Sequence, residues 1–231
     1  MNNVFKILLA AAAICLLWLC YDSITTPIKF NDQRDYREKE VIARLVEIRK
    51  AENEYRIIKG CYAADFDTLM YFLHNEKAQR VLKVGELTDK QLESGLTEKK
   101  ALKILAAGGK EDKATYQELV AMGFKRDTTF VSMMEAVYGE GYNESVIDSM
   151  RYIPFSHPRQ EFALDTATIT TGSAGIKVKV MECKADYTSY LKDLDKQQLI
   201  NLVETQTKLE KYAGLKFGDV ENANNNAGNW E

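Results

Sequence analysis

Apolar residues are concentrated at the start of the chain, where residues 7–21 are apolar almost without interruption. Counted over residues 4–24, with Lys6 reaching outward, the run approaches the roughly 20 residues that a helix needs to cross a bilayer. The pattern therefore predicts a short polar N-terminus over residues 1–6 and a transmembrane helix over residues 7–24, so that the protein spans the membrane once.

The sequence leaves two other fates open for this segment. A cleaved signal peptide needs small residues just after its apolar core, whereas Trp18, Leu19 and Tyr21 are large. Lipidation at Cys20 normally needs a small residue before the cysteine, and Leu19 occupies that position. An uncleaved anchor therefore fits the sequence best, with cleavage and lipidation as the alternatives.

A charged amphipathic helix is predicted over residues 31–59, after a bend at Pro27. Asn31 or Asp32 suits the start of this helix, and Gly60 suits its end. Six apolar residues lie on one helical face, and they are Val41, Leu45, Ile48, Ala51, Tyr55 and Ile58. We expect this face either to pack on the protein's own sheet, as the spine of the soluble domain, or to bind a helix of a partner protein.

The middle of the chain, residues 75–126, is charged and predicts short helices. The segments from Thr88 to Gln91 and from Thr115 to Glu118 match the capping-box pattern of helix starts. We interpret the region as a helical insertion at the margin of a sheet. It is either a solvated structural segment or a lobe that binds a partner.

Alternation of apolar and polar residues predicts an antiparallel sheet within residues 127–185. Strands are expected at residues 151–155, 161–171 and 176–185, with a fourth around residues 128–133. The four residues from Gly172 to Gly175 predict the turn of a hairpin between the last two strands. A C-terminal helix over residues 195–213 and an Asn-rich tail over residues 214–231 follow.

Together these elements predict an α+β fold, in which a long amphipathic helix packs on a small antiparallel sheet of three to four strands. The N-terminal anchor, the helical insertion and the C-terminal helix complete the chain. With 231 residues, 45% of them hydrophobic, residues 25–231 are expected to form a single soluble domain.

The charges of the chain nearly balance, since 31 basic and 34 acidic residues give a formal net charge of -3. The two signs are interspersed, so no surface is expected to bind polyanions. Binding of nucleic acid is therefore not expected.

The sequence AENEYRIIKGCYAADFDTL at residues 51–69 contains the Gly-x-Tyr pattern Gly60-Cys61-Tyr62. An apolar start, a long amphipathic helix, this pattern and later strands resemble the type IV pilins and the pseudopilins of type II secretion. The resemblance covers residues 1–75 and the order of elements beyond. It implies an anchored subunit that assembles with partners through its long helix. The processing signal and the early glutamate typical of that family are absent from the sequence.

Residues 212–231, together with the Thr-Gly-Ser hairpin, are similar to an uncharacterised group of single-pass bacterial envelope proteins. That resemblance implies a location in the cell envelope and no particular activity.

The sequence contains no arrangement of residues typical of catalysis. His74 and His157 are its only histidines, and no metal-binding, nucleotide-binding or nucleophile motif occurs. Asp193 and Asp195 suit either helix caps or a calcium site of the kind found in some pseudopilins. We therefore expect a non-enzymatic protein with no cofactor and no metal site, and the sequence identifies no small-molecule substrate.

The four cysteines fall into two groups. Cys15 and Cys20 lie in the apolar run and are expected to act as small apolar residues. Cys61 and Cys183 belong to the soluble domain. If this domain is exported, the two cysteines either form a disulfide that joins the long helix to the sheet or stay separate buried thiols, and the second alternative is favoured.

A recurring Asp-Ser or Asp-Thr pattern is similar to an O-glycosylation sequon of bacterial envelope proteins. The candidate acceptors are Ser23, Thr68, Thr128, Ser149 and Thr166. The recurrence favours a bacterial inner (cytoplasmic) membrane protein with its soluble domain on the extracytoplasmic (periplasmic) side.

Basic residues just after the apolar run favour the opposite, cytoplasmic location, and they are Lys29, Arg34, Arg37 and Lys39. Long downstream domains cross membranes largely regardless of such charges. We therefore keep the extracytoplasmic side as the expectation.

Two functions follow from these observations. The preferred one is a pseudopilin-like structural or assembly subunit of a secretion or envelope complex, with protein partners bound along residues 31–59. The alternative is a stand-alone anchored enzyme or ligand-binding sensor with its site in residues 75–126.

Overall fold

The computed structural model describes residues 3–108, 110, 112–172 and 175–231, and only the backbone of residues 3–4, 80–84 and 126–128. The chain forms two compact units. The first comprises Met1–Phe72 and Asn143–Glu231, and the second comprises Leu73–Tyr142. The α+β class expected from the sequence is confirmed.

The helices within the described part of the chain differ greatly in length. They are α1 (Asn3–Lys59), α2 (Phe66–Asn75), α3 (Asp89–Glu93), α4 (Glu98–Ala106), α5 (Lys113–Ala121), α6 (Met133–Tyr138), α7 (Glu144–Asp148), α8 (Tyr187–Tyr190) and α9 (Lys196–Lys208).

The strands form two small antiparallel sheets within the described residues. They are β1 (Lys77–Val84), β2 (Lys125–Ser132), β3 (Ala163–Thr171), β4 (Ile176–Asp186) and β5 (Gly214–Gly218). The pair β1–β2 belongs to the second unit, whereas β3, β4 and β5 form a sheet in that order in the first unit.

The first unit is built around α1, a single helix of 57 residues. The bend predicted at Pro27 does not interrupt it, because a proline removes only one backbone donor and can be tolerated within a longer helix. The helix ends where the sequence predicts, since Gly60 adopts a φ of 71° and its N–H donates to the Arg56 carbonyl at 2.8 Å. The anchor and the spine are therefore one continuous element.

The three-stranded sheet covers the second half of α1. The predicted hairpin between β3 and β4 is confirmed, with Thr171 opposite Ile176. Ser173 and Ala174 of its turn lie outside the described residues. Burial in the sheet is concentrated in β5 and in the second half of β4. The helix α1 contacts β5, and Cys183 of β4 and Phe217 of β5 have no exposed surface.

The predicted Asn-rich tail contains β5 and a segment that packs beside it. The Gly218 N–H donates to the Ala227 carbonyl and the Asn229 N–H to the Lys216 carbonyl, both at 3.0 Å. Glu231 accepts a hydrogen bond from Arg49 of α1 at 2.6 Å. The end of the chain is therefore fixed against both the sheet and the spine helix.

One predicted strand is absent from the described structure, and another pairs outside the predicted sheet. Residues 151–155 form no strand in the described structure, and Tyr152 makes only an isolated bridge to Glu161. Two prolines in this stretch, Pro154 and Pro158, limit the backbone donors available to a ladder. The fourth strand exists as β2 but pairs with β1 and not with the β3–β5 sheet.

The second unit is larger than the predicted insertion and has its own sheet. Helices α3, α4 and α5 lie between β1 and β2 along the chain. The capping box at Thr88 is confirmed. The helix start predicted at Thr115 is wrong, because Asp112 caps α5 and its carboxylate accepts from the Thr115 N–H at 3.1 Å. A small apolar cluster is buried in this unit, and it consists of Leu96, Ala101, Leu119 and Phe124.

Candidate functional site

The first part of α1 exposes its apolar side chains. The stretch is long and apolar enough to cross a membrane, and none of its most apolar window is buried within the protein. Cys15 and Cys20 are exposed there. Its large exposed side chains are Phe5, Ile7, Leu8, Leu9, Ile14, Leu16, Leu17, Trp18, Leu19, Tyr21 and Ile24.

The second part of α1 buries the apolar face that the sequence singled out. Val41, Leu45, Ile48 and Ala51 have no exposed surface, and the ring of Tyr55 packs edge-on against Phe72 with centroids 4.9 Å apart. The prediction of a partner-binding face is therefore wrong for the first four residues, because the protein's own body already covers them. Ile58, at the end of the same face, is 45% exposed.

Glu52 is a carboxyl group inside this core, and the sequence analysis did not identify it. The residue has no exposed surface, and its Oε2 accepts a hydrogen bond from the Ala63 N–H at 3.0 Å. Its Oε1 has no hydrogen-bond partner. Burial raises the pKa of this carboxyl from 4.5 to about 8, and the bond from Ala63 only partly offsets this.

A signal for Glu52 exists in the sequence. The residue follows Ile48 by one helical turn, so it lies on the same stripe as the buried apolar residues. A residue that can carry a charge is expected on the solvent-exposed face of a helix, so its position on the buried face indicates a role in the packing of the core.

Cys61 and Cys183 are both free, so the disulfide considered from the sequence is not formed. Cys183 is fully buried in β4, and Cys61 follows the end of α1 with partial exposure. Burial raises the pKa of the Cys183 thiol, and the negative charge of Glu52 raises it further. The sulfur is therefore held as a thiol inside the core.

The candidate glycosylation sites lie in different local settings. The Thr68 hydroxyl donates to Asp65 at 3.1 Å in the first turn of α2, and the Ser149 hydroxyl donates to the Val146 carbonyl at 2.8 Å after α7. Thr166 lies on β3 and Ser23 on α1. The side chain of Thr128 is not among those described. Modification of these residues stays a prediction.

Asp193 and Asp195 have structural partners of their own. Asp193 accepts a hydrogen bond from Arg37 of α1 at 2.7 Å, and Asp195 caps α9 by accepting from the Gln198 N–H at 2.9 Å. The hydrogen bond from Arg37 lowers the pKa of Asp193. Within the described residues, no group of three or more His, Cys, Asp or Glu side chains is placed to hold a metal ion.

The second unit contains an open cavity of about 740 Å³. Helices α3, α4 and α5 contribute to its lining, and the Gln91 side chain donates to Glu118 across it at 2.8 Å. Its volume falls within the roughly 300–1,000 Å³ range of small-molecule sites, although such sites are mostly more apolar. All of its lining residues belong to the predicted insertion.

Comparisons with protein-family models, with curated proteins and with solved structures give no match to this chain.

Proposed function

We propose that the protein is a non-enzymatic, membrane-anchored subunit of an envelope or secretion assembly, with a pseudopilin-like architecture. One observation carries the proposal: α1 exposes its apolar side chains in its first half and forms the core of a folded body in its second half. Such a helix joins a membrane anchor rigidly to the body, because it contains no linker between them.

Partners would contact the surfaces of α1 that its own body leaves uncovered. Lys39 and Lys50 are exposed on this helix, and Ile57 is 69% exposed near its end. These residues replace the buried stripe as the proposed partner face. The recurrent Asp-Ser and Asp-Thr pattern supports an extracytoplasmic body.

Crosslinking in spheroplasts tests both parts of the proposal. A membrane-impermeant amine crosslinker is expected to join the protein to other envelope proteins. Replacing Lys39 and Lys50 by arginine should reduce these adducts, because arginine does not react. Replacing Lys177 and Lys208 in the same way provides the control, since both are exposed on elements other than α1.

The outcomes separate assembly from sidedness. Adducts that form only with a membrane-permeant crosslinker would place the body in the cytoplasm and overturn the sidedness alone. A protein that stays monomeric with both reagents would overturn the assembly function.

A second candidate function is a ligand-binding sensor, and the cavity of the second unit favours it. It predicts a protein that is monomeric in membranes and whose melting temperature rises with a small polar ligand. Replacing Lys100 and Glu118 in the cavity by alanine should remove that increase.

A further inference from the structure

The outer edge of β3 is an uncovered strand edge. In the described sheet, β3 pairs with β4 on one side and has no strand partner on the other. The strand is nine residues long, and its side chains are exposed or half-buried. In an antiparallel ladder every second residue directs its N–H and C=O away from the neighbouring strand. A row of backbone donors and acceptors therefore faces outward along β3.

The opposite edge of the same sheet is closed. Phe217 of β5 forms a bridge with Gly228, and the Asn229 side chain donates to the Gly214 carbonyl at 2.9 Å. The segment that covers β5 is held to α1 by hydrogen bonds from Asn226 to Asn53 and from Arg49 to Glu231. Of the two edges of this sheet, β3 is the accessible one.

The sequence of β3 lacks the features that protect exposed edges. Edge strands commonly carry lysine, proline or a bulge that prevents pairing with another chain. The sequence ALDTATITT contains no lysine, arginine or proline, and its one charged residue, Asp165, lies 3.5 Å from Lys184 of β4. By contrast, β1 has the sequence KAQRVLKV with three basic residues.

The direction of β3 limits what can pair with it. Val180 lies beside Cys61 at the far end of α1, and Tyr187 lies beside Glu38 nearer the apolar run, so β4 runs antiparallel to α1. The strand β3 is antiparallel to β4 and therefore runs away from the apolar end of α1.

The edges of the same three-stranded sheet in a second copy, anchored in the same membrane, do not fit this edge. Two antiparallel β3 strands would direct their anchors in opposite directions. In a parallel pair, the residues whose backbone groups face the partner strand are offset by one residue between the two strands. A two-fold axis along the strands would place the same residues of both copies at the same height, so a symmetric parallel pair of β3 strands cannot form these hydrogen bonds. Pairing of β3 with β5 of another copy is blocked by the segment that covers β5.

We infer that the outer edge of β3 binds an extended segment of a different polypeptide by backbone pairing. The inference rests on the proposed function, in which α1 is anchored in the membrane, and it adds a site for a protein partner on β3. Backbone hydrogen bonds provide the attachment, and the threonine and alanine side chains tolerate varied partner residues.

Hydrogen exchange of the full-length protein in lipid nanodiscs tests this inference. The probe is a capped peptide with the sequence of Ile176–Glu182, because β4 already pairs antiparallel with β3 in this register. At about ten times its Kd, the peptide should slow exchange of β3 amides about tenfold. Exchange of β5 should not change.

Two N-methylated versions of the peptide are the matched controls. In one version, methyl groups replace the hydrogens of the alternating peptide nitrogens that face β3, and this should abolish protection of the β3 amides. In the other version, the methylated nitrogens face away from β3, and protection should remain. Equal loss with both versions, no protection at millimolar peptide, or faster exchange of β5 through displacement of β4 would each overturn the inference. If the peptide binds β3 but the protein forms no crosslinked adducts with envelope proteins, the β3 inference would stand and only the proposed assembly function would be overturned.

Discussion

Replacing Glu52 by glutamine is expected to make the protein markedly more stable than the wild type at pH 9 and to change its stability little at pH 4.5. The carboxyl has a pKa of about 8 in the folded protein and 4.5 as its ordinary value. A folded-state pKa that is raised means that the folded protein binds the proton more tightly. Ionisation of Glu52 therefore does not reduce the free energy of unfolding of the wild type below about pH 4.5, and this free energy falls as the pH rises towards 8.

The expected size of this effect is large for a single residue. A shift of this size corresponds to a difference on the order of 5 kcal/mol between the two protonation states. Glutamine keeps an acceptor for the Ala63 N–H and cannot ionise. The difference between variant and wild type should therefore grow over this pH range, because the cost of a buried charge is absent from the variant.

Thermal melts of the full-length protein in detergent, followed by circular dichroism at several pH values, measure the effect. Glu40→Gln is the matched control, because it makes the same change at an exposed position of the same helix. It removes no buried carboxyl and should not stabilise the protein at pH 9. A Glu52→Gln profile parallel to that of the wild type from pH 4.5 to 8 would contradict the buried position of this carboxyl.

Ile48→Ala is expected to destabilise the first unit by about 2–5 kcal/mol, because the side chain has no exposed surface and its removal leaves a cavity. Ile57→Ala changes the same residue type on the same helix. Ile57 is 69% exposed, so this change should cost less than about 0.5 kcal/mol.

Urea unfolding of both variants in detergent, followed by tryptophan fluorescence, compares the two positions. Trp230 reports on the first unit, since its ring lies 6.0 Å from Arg49 of α1. Equal destabilisation by the two variants would show that α1 is not packed against its own sheet on the Ile48 face.

The elements predicted best have a strong period and clear ends. The spine helix has apolar residues at helical spacing and a glycine at its end, and the hairpin of β3 and β4 has alternation and a glycine-containing turn. These local signals agree with the tertiary packing, so they were sufficient to predict the type and position of each element. The start of the C-terminal helix was predicted for the same reason, with Asp195 at its cap, whereas the helix ends at Lys208 and not at residue 213.

The elements that were missed depend on contacts distant in sequence. The segment Gly214–Gly218 has little alternation, and it becomes a strand only because β4 is available to pair with it. The strand β1 mixes basic and apolar residues and forms a ladder with β2, which follows after three intervening helices. Pairing of this kind leaves no periodic signal in either segment.

The candidate sites also differ in whether a local sequence pattern or a distant contact determines them. The stripe from Val41 to Ala51 correctly identified buried residues, but amphipathicity does not say whether the covering surface is the protein's own sheet or a partner. Glu52 resembles the many other acidic residues of α1 in sequence. Its position one helical turn after Ile48 indicates burial, and the hydrogen bond from the Ala63 N–H then shows that the carboxyl lies inside the core.

The proposed function requires α1 to be both a membrane anchor and the core helix of the body. Alkaline extraction of membranes, followed by the intact mass of the protein that remains in the pellet, tests this directly. We predict a membrane-retained polypeptide whose mass includes the apolar run of residues 7–21. A shorter polypeptide that begins after the apolar run and is released by the extraction would show a cleaved signal peptide and contradict the account.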